Sequence, residues 1–405
     1  MDLKKLFISL IIITMLTGCS VTDLKDSEFK NKEVYNYLEK NYSIVDVESD
    51  NFEDVNIIDT ENKRVFLTGE KHGNKGNMKL REKFLKYFKK ETDFKYYLCE
   101  LSYSMGYFLN KYLETGDTEI LDNIYKPLKG TYAWNKDNYN HWKMLYEYNK
   151  KLPKESKIKV VGIDIEHQPS NALRCIYDVL PKEEPKEEIS EMINEFKAIM
   201  SQEKKVNHEG LKDFSKRLKK DIEENKKEYK EYLEDDLFIF NLVNNNILYR
   251  YEAYGNDNFN SFRDEKIYEN FEKIYNNNPD EKYFGQWGIG HIYQREQKDV
   301  KWMATLMNDS KELKDKIVSI VYSYDDCKYM SKNNGSYEVK VIDNFDHKLD
   351  LIKDFTLFRL DGENSPFNDE LIWPYSYSIE KKGVTTDYFQ YLVVIKGLDA
   401  TEPLD

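Results

Sequence analysis

Short apolar runs alternate with longer stretches of helical period along most of the chain. Arg64–Thr68, Tyr96–Cys99, Ile158–Ile165, Tyr283–Trp287 and Ile317–Tyr324 are rich in β-type residues and lack strict apolar–polar alternation. Lys79–Lys90, Met105–Glu114 and Asn138–Lys151 between them carry helical spacing. Non-alternating strands set between helices belong to a covered, mainly parallel sheet. The pattern therefore predicts an α/β fold, a central sheet flanked by helices.

From about 181 to 280 the character changes. Lys182–Glu188 is a charged run broken by Pro185, and Ile189–Ala253 is nearly all helical in pattern, with Glu and Lys on its outer positions. This reads as a helical insertion, part solvated layer and part cap over the sheet's active edge, with Asn244–Tyr254 packing inward. From Ser336 the β-type runs return as Tyr337–Ile342, Phe355–Leu360 and Tyr388–Ile395. They either extend the sheet or form a small antiparallel appendage.

The N-terminus adds an address. Lys4-Lys5 precede an almost wholly apolar Leu6–Leu16, and Leu16-Thr17-Gly18-Cys19 closes the segment. The stretch is short for a transmembrane helix, which needs ~20 residues, and its flanks are those of a secretory signal. Leu-x-Gly-Cys resembles the bacterial lipobox, so residues 1–18 are expected to leave as a lipoprotein signal. Cys19 would carry acyl chains such as palmitate, two of which give stable anchoring. Residues 19–50 are polar and read as a tether, with a weakly patterned helix from about 27 to 40, leaving 51–405 as the globular domain on the extracytoplasmic face of the cell membrane. The net charge of -13 argues against nucleic acid as a partner, because phosphate binding needs basic surface. Cys99, Cys175 and Cys327 are too sparse for a disulfide framework and read as buried small residues.

Only six histidines occur, and two of them close the same pattern. Gly69-Glu70-Lys71-His72 and Gly288-Ile289-Gly290-His291 each follow an apolar run. Ligands of open α/β sheets bind beyond the carboxyl ends of the strands. The residues following the predicted strands are Glu70 and His72, then Glu100, then Asp164, Glu166 and His167, then His291. Two chemistries fit this set. His72, His291 and Glu100 could hold a divalent transition metal (Mn, Co or Zn) that activates a water. Alternatively, His72 could itself be the general base, held by Glu70 or Glu100. Asp164 reads as a turn support and Asp264 as ordinary helix-start capping, whereas Arg263 could orient a site carboxylate or an oxyanion. His141, His208 and His347 lie in helical or loop surroundings and read as surface residues.

These segments together resemble the superfamily of erythromycin esterases, Tiki proteases, TraB-type proteins and haem-binding ChaN lipoproteins. The resemblance spans most of the chain beyond the signal. It runs through Phe66–Gly73, Leu80-Arg81, Tyr97–Glu100, Tyr132–Asn135 with Tyr148-Asn149, Gly162–Asp164, Arg263-Asp264 with Glu269-Asn270, Gly288–His291 and the C-terminal Asp387–Leu404. It implies an erythromycin-esterase/ChaN-like fold, His72 and His291 as key histidines, Glu70 and Glu100 as supporting carboxylates and Arg263 as a site arginine. Two spacings depart from the esterases: only Lys71 separates Glu70 from His72, and the second motif lacks a further histidine. Both are closer to the Tiki and TraB side, so the resemblance implies the scaffold and not macrolide hydrolysis. The expected activity is hydrolysis of an ester, lactone or peptide bond in a small-molecule or peptide substrate. The rival expectation is a binding lipoprotein that holds haem, with tyrosine as an axial ligand.

Overall fold

The computed structural model describes residues 32–201, 207–333, 336–345, 349–375 and 382–404. The signal 1–18, Cys19 and His347 lie outside the described residues. Ten strands are β1 (Tyr42–Ile44), β2 (Val65–Glu70), β3 (Tyr96–Ser102), β4 (Lys159–Asp164), β5 (Tyr283–Gly288), β6 (Ile317–Asp325), β7 (Cys327–Asn333), β8 (Ser336–Ile342), β9 (Phe355–Arg359) and β10 (Tyr391–Lys396). Twelve α-helices are α1 (Lys32–Leu38), α2 (Lys75–Thr92), α3 (Tyr103–Thr115), α4 (Thr118–Tyr125), α5 (Lys136–Lys151), α6 (Pro169–Asp178), α7 (Glu187–Met200), α8 (His208–Glu224), α9 (Lys226–Leu233), α10 (Leu237–Tyr254), α11 (Phe259–Asn277) and α12 (Met303–Asp309).

Eight strands form one sheet in the order β1-β9-β10-β6-β2-β5-β3-β4. From β10 to β4 all pairings are parallel, while β9 and β1 extend the sheet antiparallel at one edge. The expected mixed α/β architecture is thus present, and the C-terminal runs Phe355–Leu360 and Tyr388–Ile395 supply sheet strands. Tyr337–Ile342 instead falls in β8, which pairs only with β7 in a separate hairpin.

Every residue of β2 is buried, which is why the run does not alternate. Successive side chains point to opposite faces, and both faces are covered. Phe66 joins Phe84, Phe88, Tyr97 and Phe284 in one core, beneath α2 to α10. Val65 and Leu67 enter the other with Leu98, Ile267, Phe271 and Met303, beneath α1, α11 and α12.

Two expected boundaries move. The sequence predicts a tether at 19–50, but Val34, Tyr37 and Leu38 of α1 are buried in the second core, and Tyr42 pairs with Phe358 at the sheet edge. Apolar spacing within those few residues is enough to dock them, so residues 32–44 belong to the folded body. The sequence predicts a helical insertion at about 181–280. Helices α7 to α10 do form a helical layer, but Ile267, Phe271 and Ile274 of α11 belong to the core of the opposite face. The insertion therefore stops short of α11.

Candidate functional site

β2, β5, β3 and β4 lie side by side, so their carboxyl ends deliver Glu70, the Gly288 turn, Glu100 and Asp164 to one stretch of sheet edge. The order of strands along the chain changes direction around β2, where crossovers leave a crevice for ligands. A cavity of about 690 Å³ opens there, lined among others by Glu70, His72, Arg81, Glu100, Asp164, His167 and Arg263. That volume lies within the range of small-molecule sites.

His72 sits on a pinned loop. Lys71 N–H donates to the Tyr324 hydroxyl at 2.8 Å, and Asn77 Nδ2 donates to Lys71 O at 2.8 Å. Gly73 follows with φ +96°, and a Cβ there would come within 2.4 Å of Met330 O, so only glycine makes this turn. His72 Nδ1 meets Glu70 Oε1 at 2.7 Å, and the ring is 41% exposed. Its Nε2 lies 3.9 Å from Glu100 Oε2. Burial disfavours the imidazolium, but the Glu70 hydrogen bond and the charges of Glu100 and Glu70 outweigh it, so the His72 pKa is raised above 6.5.

Behind His72 lies a closed network of charges. Glu100 Oε2 accepts from Gly288 N–H at 2.7 Å, and its Oε1 accepts from Arg263 Nη2 at 2.9 Å. Arg263 also forks onto Asp164, with Nε 3.0 Å from Oδ1 and Nη2 against Oδ2. His291 Nδ1 donates to Asp264 Oδ1 at 2.8 Å, while Nε2 stands 3.4 Å from Glu100 Oε1. Burial opposes charging His291, yet Asp264 and Glu100 raise its pKa to about 10, so it is an imidazolium at neutral pH. Burial also opposes ionised Glu100, and the His291, His72 and Arg263 charges hold it well below the usual carboxylate range. Asp164 is likewise held low against its burial, by Arg263 first and then His167.

A Cβ placed on Gly288 would lie 3.4 Å from Glu100 Oε2 and 3.5 Å from both His72 Nε2 and His291 Cδ2. The two Gly-x-x-His segments therefore converge on one point, as two walls of one site. All five expected residues, His72, Glu70, Glu100, His291 and Arg263, are brought together.

The expected metal set does not fit this arrangement. Among the described residues no group of three or more His, Cys, Asp or Glu is arranged to hold a metal ion. The Arg263 guanidinium lies between the carboxylates, 3.3 Å from His291 Nε2. With His291 also protonated, the charges of Arg263 and His291 would oppose a cation held between His72, His291 and Glu100. Arg263 itself is committed to Glu100 and Asp164, which makes it first an organiser of carboxylates.

Several residues differ from their sequence reading. Asp164 anchors Arg263 and does more than support a turn. Asp264 is fully buried as the His291 partner and accepts Met303 N–H, the first of α12, at 2.7 Å; it does not cap α11, its own helix. The signal was present in α11, where Asp264 falls on the buried stripe of Ile267, Phe271 and Ile274. His141 is buried, with Nε2 3.3 Å from the Tyr97 hydroxyl, and burial followed by the Arg81 charge keeps its pKa well below 6.5. It shares an α5 stripe with Trp142 and Leu145. Glu166 turns away from the cavity and accepts from Ser104 N–H at 3.0 Å and Ser104 Oγ at 2.5 Å, holding the start of α3. Burial pushes its pKa to about 7, against the Ser104 hydrogen bonds. His167 contacts Asp164 Oδ2 at 3.3 Å and the Tyr254 hydroxyl at 3.1 Å. Tyr254 and Phe259, at the end of α10 and the start of α11, line the cavity. His208 is exposed as expected, and Cys99, Cys175 and Cys327 are free and buried.

No family model matches the sequence, and no curated protein matches it. Solved structures do match in fold. A Bacillus cereus protein superposes with TM-score 0.70 at 16% identity, covering 91% of this chain and 98% of its own. A protein described as a succinoglycan biosynthesis protein gives 0.68 at 13% identity over 94% and 100%. A histidine-to-asparagine variant of the erythromycin esterase EreC, in its open conformation, gives 0.67 at 15% identity over 90% and 99%. The chain thus has the erythromycin-esterase-like fold over nearly its whole described length, and at these identities the likeness shows the fold alone.

Proposed function

We propose that the chain is a hydrolase of an ester, lactone or peptide bond, with His72 as the general base that activates water. One observation carries the reading: His72 Nδ1 is held by Glu70 at 2.7 Å while Nε2 is left toward the cavity, 3.9 Å from Glu100 Oε2. In neutral His72 the Nδ1–H donates to Glu70, which fixes the tautomer with the Nε2 lone pair free. A water donating both hydrogens at normal hydrogen-bond lengths suits two acceptors ~4.4 Å apart, close to this pair. Such a water presents its own lone pairs outward to a carbonyl carbon.

Transfer of its proton to His72 Nε2 accompanies attack, and the imidazolium forms against Glu70 and Glu100, which favour it. The same proton then passes to the departing alcohol or amine, restoring His72. Arg263 and the His291 imidazolium contribute a preorganised positive field toward the developing oxyanion. No step requires a metal, in keeping with the donor set. The fold of the EreC neighbour is compatible with ester chemistry, and the spacing of the first motif leaves other carbonyl substrates open.

The leader 1–18 and the Leu-x-Gly-Cys segment support anchoring through acylated Cys19 on the extracytoplasmic face. No helix among the described residues is long and apolar enough to cross a membrane, so an acyl anchor would be the attachment. Screening the full chain against ester, lactone and peptide panels, with and without chelator, tests the reading. Turnover that survives chelation is expected. Absence of turnover on every panel, with a Soret band on adding haem, would replace it with the binding reading. Labelling by palmitate that disappears in Cys19→Ser tests the anchor.

A further inference from the structure

Arg81, on α2 and two turns beyond the His72 loop, is a buried cation in the cavity wall that the hydrolytic reading does not use. Its side chain is largely buried, with 9% residue exposure. Its hydrogen bonds run to neutral groups only, from Nη2 to Asn138 Oδ1 at 2.8 Å and to Met78 Sδ at 3.1 Å. Nε is buried without a partner. The neutral Tyr97 hydroxyl also lies within reach of the guanidinium, and Nη1 is the nitrogen open to a ligand. Among the described residues no carboxylate pairs with Arg81. Glu70 lines the same cavity, but its Oε1 is taken by His72. Arg263, by contrast, is matched by two acidic partners, so the two cations differ in kind.

A buried charge without a partner is costly, and a site that retains one is built for a counter-ion that arrives with the ligand. Asn138, the residue that holds Arg81, lies in the first turn of α5, whose own N–H groups are taken, Asn138 N–H by Asn135 Oδ1 at 2.7 Å and Lys136 N–H by Glu402 O at 2.8 Å. The positive charge in this part of the cavity wall is therefore that of the Arg81 guanidinium, among the neutral side chains of Met78, Asn135 and Asn138 that line the cavity with it.

We infer that Arg81 forms an anion subsite that binds a carboxylate on the same molecule that carries the scissile bond. Resting on the hydrolase reading, this narrows the substrate class to acyl compounds with a free carboxylate. The carboxylate accepts from Arg81 Nη1, and the carbonyl to be attacked lies toward His72.

Calorimetric titration of the full chain in detergent tests it with two anilides of equal length. N-phenylglutaramate carries a terminal carboxylate, and N-phenylpentanamide is its neutral counterpart. The wild type should bind the first about tenfold or more tightly, the scale of one charge-assisted hydrogen bond. Arg81→Gln, checked by circular dichroism for native fold, should bind both alike. If that variant does not fold, Arg81→Lys decides, because a point charge without the planar fork should lose several-fold of the preference. Equal binding of the two anilides by the wild type would overturn the inference. So would an undiminished preference in whichever variant folds. Binding is read without turnover, so a chain that prefers the carboxylate yet hydrolyses nothing would refute the hydrolase reading and leave this subsite standing.

Discussion

Glu70→Gln is the perturbation that most cleanly isolates how His72 is tuned. The carboxylate oxygen 2.7 Å from His72 Nδ1 stabilises the imidazolium more than the neutral ring, and the raised pKa of His72 follows from it together with Glu100. A hydrogen bond to a charged partner contributes roughly 1.5–3 kcal/mol. With the ring 41% exposed, solvent screening selects the lower end of that range. Glutamine keeps an acceptor oxygen but loses the charge, so about half of the effect should survive in the hydrogen bond. The charge that is lost is then worth about 0.75 kcal/mol, and one pKa unit is ~1.36 kcal/mol, which puts the expected fall at about half a unit. Burial, which lowers the pKa, then stands against Glu100 and the surviving hydrogen bond. NMR titration of the histidine ring protons measures this without knowledge of the substrate, and His72→Gln assigns the resonance. A wild-type His72 titrating below 6.5, or one unmoved by Glu70→Gln, would refute the assignment of Glu70 as its partner.

The charge network behind His72 gives further expectations. Arg263→Leu leaves Glu100 and Asp164 buried without their cation and should destabilise the fold by ~3–5 kcal/mol, measured by urea unfolding, with Arg263→Lys intermediate. His291 has its folded pKa raised from 6.5 to about 10. Its stabilisation, on the order of a few kcal/mol, is therefore complete below pH 6.5 and is lost as pH rises through about 10. Unfolding measured across that window should show the loss in the wild type and a much flatter profile in Asp264→Asn. Gly162→Ala would place a Cβ 2.0 Å from Ser102 O, forcing β3 and β4 apart just where they deliver Glu100 and Asp164. A loss of more than about 2 kcal/mol in thermal melts is expected; a native melting temperature would show that the strands can part without cost.

The strands that build the site were readable because buried parallel strands are continuous apolar runs, and polar residues immediately after such runs have one place to go. That logic found Glu70, His72, Glu100, Asp164 and His291 together. It failed where a polar residue sits on a buried stripe. Asp264 and His141 occupy apolar faces of α11 and α5, and charge or polarity alone suggests a cap or a surface. Arg81 is similar: its burial depends on how α2 meets α5, which no local spacing encodes. Docking of α1 and β1 also escaped, because seven-residue helices and three-residue strands carry too few apolar positions to set a period. The choice between metal and direct base could not come from sequence either. It turns on Arg263 reaching Glu100 from a helix 163 residues away in the chain.

The central claim is that His72 takes the proton from water. The most direct test is kcat/KM for the wild type and His72→Ala on a substrate identified from the ester, lactone and peptide panels, at a pH above the His72 transition. Loss of a general base predicts a fall of roughly 10²–10⁴-fold with circular dichroism and melting temperature retained. Undiminished turnover in a folded His72→Ala would contradict the account.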